Sequence, residues 1–186
     1  MNKMSVRERY DSGKLELRGR GVVLRPVVGS DASEAYEGWL TDPLVSRYLE
    51  ARFTRWTVDG IRGYIESQRA DGRVWFFAIC TEGDMRMVGT VKLGPVSVEH
   101  GTGVVGVMVG ERSMQGKGIG SESLGLVTRF GFDVLGLRKL FAGIYGPNQA
   151  SVGAFRRAGW EEEAVLVGQW TLDGEPVDEI RMAAFA

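Results

Sequence analysis

A single α+β domain is what this chain predicts, on three observations. Strand-like runs with alternating or continuous apolar residues are mixed with helix-like stripes of period near 3.6. The later strands are arranged as hairpins around turn residues such as Asp173-Gly174. No repeat, low-complexity tract or linker divides the 186 residues, of which 44% are hydrophobic and 25% charged, enough for one core.

Residues 1–19 are polar and mixed in charge, without regular apolar spacing, and are expected to form a loosely ordered extension ahead of a domain over 20–186. Residues 22–27 read as a first strand, with Pro26 near its end and therefore at a sheet edge. Asp31, with Glu34 three residues on, is expected to cap a helix whose apolar face is Ala32, Ala35, Tyr36, Trp39 and Leu40, ended by Asp42-Pro43. A short irregular or helical piece over 44–49 precedes a second helix, capped by Thr57 and turning Val58, Ile61 and Ile65 inward.

From there the pattern changes to strands. Residues 74–80 and 87–93 form a hairpin around Glu82-Gly83-Asp84, and 104–109 make the next strand. A helix after residue 121 carries the stripe Leu124, Val127, Phe130, Val134 and Leu135, with Gly136 as left-handed terminator. Residues 139–145 are a strand, Asn148 opens a short helix closed by Gly159, and 165–170 and 178–184 form the last hairpin.

Composition removes several chemistries. A net charge of −1 gives no bulk attraction for nucleic acid or an anionic membrane, so neither is expected as a partner. One cysteine, Cys80, and one histidine, His100, supply neither a disulfide nor a zinc cluster nor a serine-type triad, so no metal site is expected. With no apolar stretch in the first twenty residues and none of membrane-spanning length, the protein is expected to be soluble and cytoplasmic.

The most informative segment is Gln115-Gly116-Lys117-Gly118-Ile119-Gly120, lying between a strand and a helix. Glycines at alternate positions let backbone N–H groups approach an anion, and the following helix adds unpaired donors and the positive end of its dipole. The Walker pattern G-x-x-x-x-G-K-S/T fails here, because five residues separate Gly110 from Gly116 and Gly118 replaces the hydroxyl residue. A dinucleotide pattern at Gly101, Gly103 and Gly106 leads into a strand rather than out of one.

The order Gln115-x-x-Gly118-x-Gly120 resembles the acyl-CoA loop, Gln/Arg-x-x-Gly-x-Gly/Ala, of the GNAT superfamily of acetyl-CoA-dependent N-acetyltransferases. Asn148-Gln149-Ala150-Ser151 and Phe155-Arg156-Arg157-Ala158-Gly159-Trp160 resemble that superfamily's next strand-to-helix junction and helix end. Leu24-Arg25-Pro26, Asp31-Ala32 and Trp39-Leu40-Thr41-Asp42-Pro43 resemble the branch with ribosomal-protein N-terminal and amino-sugar acetyltransferases, so that the likeness covers 22–184.

The resemblance implies a mixed, mostly antiparallel seven-stranded sheet with helices on both faces, whose central strands, here 104–109 and 139–145, splay apart to admit pantetheine. It implies acetyl-CoA as co-substrate. The pantetheine amides would pair near Met108 and Val109, and the pyrophosphate would lie on Gln115, Gly116, Lys117, Gly118, Ile119, Gly120 and Ser121. Asn148 would stand near the pantetheine arm, with Phe155 packed beneath the cofactor.

Acetyl transfer needs a neutral amine, a polarised carbonyl and a proton for the departing thiolate. Many members of the superfamily supply that proton from a tyrosine at the position of Phe155, which has no hydroxyl. Ser151 is the nearest alternative, and it equally well serves only to bond its own helical turn. For the base, His100 lies beside the central strand but also fits a solvated loop, and Glu50 either orients an ammonium or makes a surface ion pair. Cys80, in an apolar strand, reads as a buried inert thiol.

Arg47, Tyr48, Arg52, Phe53 and Trp56 interleave cations and rings where this superfamily receives its acceptor, which fits a nucleotide-linked amino sugar and also fits a partly buried surface cluster. N-terminal acetylation of a protein or peptide is the alternative, and a non-catalytic acyl-CoA-binding module is the alternative of another class. The expected partner is therefore a small-molecule or peptide amine, with a homodimer open.

Overall fold

Strand β3 (Trp75–Thr81) shows why the sheet is covered on both sides. Trp75, Phe77 and Ile79 point into one apolar cluster, and Phe76, Ala78 and Cys80 into the other, so a continuous apolar run satisfies two cores at period 2. The computed structural model describes residues 4–186, in which β3 lies inside one eight-stranded sheet.

The other strands are β1 (Leu17–Arg18), β2 (Val22–Pro26), β4 (Met87–Ser97), β5 (Thr102–Val109), β6 (Lys139–Tyr145), β7 (Glu161–Leu172) and β8 (Glu175–Phe185). Their order is β1-β2-β3-β4-β5-β6-β8-β7, with every neighbour antiparallel except β5 and β6. Seven strands were expected. The eighth is the two-residue β1, which pairs Leu17 with Leu24 and Arg18 with Val23 and is too short to leave an alternating signal. Pro26 lies beyond that pairing, on the open side of β2.

Helices cover both faces. On one lie α2 (Glu34–Thr41), α3 (Pro43–Ser46) and α4 (Val58–Ala70), and on the other α5 (Ile119–Arg129) and α6 (Gln149–Arg157). Thr57 caps α4 as expected, its hydroxyl accepting from the Gly60 N–H, and Ile61 and Ile65 are fully buried. Asp31 does not cap α2. Its carboxylate instead grips Arg25 at 2.7 and 2.8 Å and the Val28 N–H at 2.8 Å, while Ser33 caps the helix and leaves Ala35 exposed.

The stripe on α5 is also interrupted. Residues Phe130–Val134 form a π-turn, closed by Leu135 N–H to the Phe130 carbonyl at 3.1 Å, and the extra residue per turn rotates Val134 outward to 50% exposure. Gly136 then ends the element at φ +67°, and the Asp173-Gly174 pair turns the last hairpin with both φ positive.

Over the described residues 4–19 the expectation of a loosely ordered start is corrected; residues 1–3 lie outside the described ones. Helix α1 (Val6–Asp11) is held by a Ser5/Glu8 capping box, and Tyr10 is completely buried. The Tyr10 ring meets Trp75 and Phe77 edge-on at 5.1 and 5.5 Å, and its hydroxyl donates to the Phe76 carbonyl and accepts from the Phe76 N–H. A six-residue helix with one buried side chain has no periodicity to read.

No described helix is long and apolar enough to cross a membrane. Among the described residues, no three of His, Cys, Asp and Glu gather as metal ligands would.

Candidate active site

The site originates in a failure of pairing. β5 and β6 are in register only from Thr102–Lys139 to Val104–Phe141. Beyond that β5 continues along β4 to Val109, and β6 follows β8 to Tyr145, leaving a wedge between them. Both strands run directly toward a helix that starts at the mouth of the wedge. Gly118 is the N-cap of α5 and Asn148 the N-cap of α6, so two positive dipole ends face one opening, and the α5 start, which has no side-chain cap, adds unpaired backbone N–H groups.

A cleft of about 370 Å³ occupies the wedge. Val107, Met108 and Val109 form one wall, Gln115, Gly116, Gly118, Ile119 and Gly120 the anion-seeking end, and Asn148 and Ser151 the other wall. Gly118 adopts φ +84°, and a Cβ there would meet nothing closer than Ser121 Oγ at 4.0 Å, so the space above the loop is open. An α-helix capped by glycine has no side chain to occupy its first N–H groups, which stay free for a ligand. The open loop, the two helix starts and the splayed strand together fit a pyrophosphate on a pantetheine arm.

Gln115 Nε2 donates to the Val109 carbonyl at 2.8 Å, so this side chain folds back over the end of β5. Three residues expected at the cofactor do not line the cleft. Lys117 is exposed to solvent, and the Ser121 hydroxyl turns back to the Gly118 carbonyl at 2.9 Å. Phe155 is 2% exposed, its ring edge-on to Trp160 at 4.8 Å, and lies in the core below α6 rather than at its surface.

Of the expected catalytic groups, Ser151 lines the cleft. Its N–H donates to Asn148 Oδ1 at 3.2 Å, whereas its hydroxyl has no hydrogen-bond partner among the described residues. His100 is misplaced as a base. It sits exposed in the turn between β4 and β5, its N–H on Ser97 Oγ and its carbonyl taking a bond from Arg138. The cleft opens at the far end of the eight-residue β5, about 23 Å away. Adjacency to the strand in sequence was right, but it is the wrong end.

Glu50 lines a second cavity of about 600 Å³, on the α2/α4 face of the sheet. Leu49, Val107 and Met108 border both cavities, so the two meet through the unpaired part of β5. Glu50 accepts from the Tyr145 hydroxyl at 2.5 Å, and that hydroxyl in turn accepts from Arg52 at 3.0 Å. Burial, then the Glu50 carboxylate, raises the Tyr145 phenol above its ordinary range and keeps it protonated. Tyr145 also stacks on Trp170 at 5.7 Å. Sequence reading missed it, since nothing local links two residues 95 positions apart.

The arginine-rich segment borders a third cavity of about 630 Å³, which shares Leu40, Thr54 and Trp56 with the second. Arg52 is engaged internally, with the Arg47 and Thr171 carbonyls as well as Tyr145, and Arg47 pairs with Asp173 at 2.6 Å. Cys80 is wholly buried and burial pushes its thiol up, so it stays protonated and unreactive.

A family model described as "Acetyltransferase (GNAT) domain" matches residues 22–161. The chain is 27% identical over 157 residues to a probable N-acetyltransferase, YjcK, of Bacillus subtilis, covering 80% of this chain and 85% of that protein. It is 28% identical over 159 residues to human alpha/beta-tubulin-N-acetyltransferase 9, covering 80% and 76%. A spermidine N-acetyltransferase from Vibrio cholerae, solved with CoA and spermine, superposes with a TM-score of 0.78 at 18% identity, over 89% of this chain and 95% of that one.

Proposed function

The chain belongs to the GNAT acetyltransferase family and is an N-acetyltransferase that uses acetyl-CoA, and from that premise we propose that it moves the acetyl group directly to the primary amine of a nucleotide-linked amino sugar. The observation that carries the direct transfer is the continuity of the two cavities across the unpaired part of β5. A thioester between β5 and β6 and an amine from the α2/α4 side can meet there without a covalent stop on the protein.

The amine nitrogen attacks the thioester carbonyl, the C–N bond forms, the C–S bond breaks, and the proton lost by nitrogen ends on sulfur. Glu50, held by Tyr145, receives or orients the ammonium on the acceptor side. The Ser151 hydroxyl, in the first turn of α6, donates a hydrogen bond to the departing sulfur, whose developing charge the helix start favours, and any proton it passes on is replaced through solvent by the one lost from nitrogen. The cleft residues Gly116, Gly118, Gly120 and Asn148 bind and orient the donor.

The amino-sugar acceptor is supported by the charge of the acceptor side. Arg47, Arg52, Arg55 and Lys92 line its two cavities against Glu50 and Asp173, with Trp56 between them. Mass-detected acetylation across nucleotide sugars, peptides, polyamines and aminoglycosides tests this directly. Nucleotide sugars are expected to be acetylated and to protect the protein thermally. If an N-terminal peptide is acetylated and nucleotide sugars neither react nor protect, the acceptor is a protein N-terminus.

A further inference from the structure

Lys92 is an unusual residue for its place. It stands in β4 between Val91 and Leu93, both completely buried, and its chain crosses to the α4 side of the sheet. A partly buried ammonium is ordinarily matched by a carboxylate, because removing it from water is costly. Among the described residues Lys92 has only neutral partners, the Tyr64 hydroxyl at 3.0 Å and Gln68 Oε1 at 3.2 Å. Tyr64 and Gln68 are one turn apart on α4, so one helix face aims the ammonium. Of its three donors, two are used and one remains.

That group borders the same cavity as Glu50. Lys92 pairs across the ladder with Gly106, two residues or about 7 Å from the Thr90–Met108 pair at the junction with the donor cleft. The cavity is therefore lined by one cation and one carboxylate, and Thr90, two residues from Lys92 on the same strand, also lines it.

We propose that Lys92, supported by Tyr64 and Gln68, is an oxyanion subsite, so that the enzyme selects a small acceptor carrying both an amine and a phosphate or carboxylate. This rests on the acetyl-transfer reading above and sharpens its acceptor. A polyamine is disfavoured by this lining, since Glu50 is the single carboxylate that lines the cavity and Lys92 adds a like charge to the polyamine's own.

The test uses matched acceptors: glucosamine 1-phosphate against glucosamine, an amino acid against its amide, and spermidine. The wild type is expected to favour the anionic member of at least one pair by tenfold or more in kcat/KM, and the favoured pair distinguishes phosphate from carboxylate. Lys92→Gln should raise KM for that acceptor tenfold or more with the acetyl-CoA KM unchanged, and Lys92→Arg should restore the preference. Preference that survives in Lys92→Gln, or spermidine as best acceptor, overturns the proposal. If the wild type binds acetyl-CoA yet acetylates nothing, the transfer reading fails, and thermal protection decides the subsite. Protection by glucosamine 1-phosphate over glucosamine that vanishes in Lys92→Gln supports it, and equal protection in both proteins refutes it.

Discussion

Replacing Gly118 by leucine separates the cradle from the fold. The residue is left-handed at φ +84°, which costs an L-residue about 1–2 kcal/mol. No clash adds to this, because the nearest atom to a Cβ is Ser121 Oγ at 4.0 Å. Against a typical domain stability of about 5–15 kcal/mol the variant stays folded, with its urea midpoint lowered by roughly 0.5–1 M. The cofactor loses far more. A leucine side chain occupies the opening where the free N–H groups at the start of α5 meet an anion, and hydrogen bonds to charged groups are worth about 1.5–3 kcal/mol each.

Losing two such bonds costs about 3–6 kcal/mol, so acetyl-CoA affinity should fall by about 100-fold or more. Calorimetric titration of acetyl-CoA, beside urea unfolding, measures both quantities. Gly118→Ala carries the same backbone cost with little bulk and should keep most of its affinity. A leucine variant that binds acetyl-CoA as tightly as the wild type would falsify the assignment of this loop.

Three further outcomes are expected. Ser151→Ala should lower kcat by roughly 100-fold or more, within the range for a positioned proton donor, with acetyl-CoA affinity nearly unchanged; an unaltered rate reduces Ser151 to a helix residue. Tyr145→Phe keeps the ring stacked on Trp170 but removes the bond to Glu50, so it should cost about 1–3 kcal/mol in stability and raise the acceptor KM, and an unchanged acceptor KM refutes the positioning role. Burial raises the Tyr36 phenol above its ordinary value, so its stabilising contribution is complete below the unfolded pKa of about 10 and is lost as pH rises beyond it. Chemical unfolding between pH 8 and 11 should show falling stability, with a smaller slope in Tyr36→Phe; equal slopes in the two proteins contradict this.

What the sequence made legible was local. β6 is found at the residues expected, and α4 and α6 start at the expected caps, Thr57 and Asn148, because each carries its signal within a few positions. The splay of β5 from β6 has no periodic signature and entered only through the resemblance of Gln115, Gly118 and Gly120 to a known loop. The acceptor side was half legible. Glu50 and the arginines could be picked out as charged groups beside aromatic ones, but Tyr145 and Lys92 meet them only in the fold. His100 failed for a directional reason: a residue before a parallel-paired strand end lies opposite the helix-bearing end where the cleft opens.

The loss of a hydroxyl at Phe155 has a structural counterpart. Its ring is packed among Trp160 and the apolar cluster beneath α6, where an added hydroxyl would be stripped of water. Ser151 lies four residues earlier on the same helix face, about one turn or about 6 Å nearer the N-terminus. That displacement takes a hydroxyl from the core to the wall of the cleft and toward the positive end of the helix. Phenylalanine at 155 is thus compatible with catalysis if its ring only packs the core beneath α6 and the proton chemistry moves up one turn, which is why the Ser151 variant, rather than any change at 155, is the informative one.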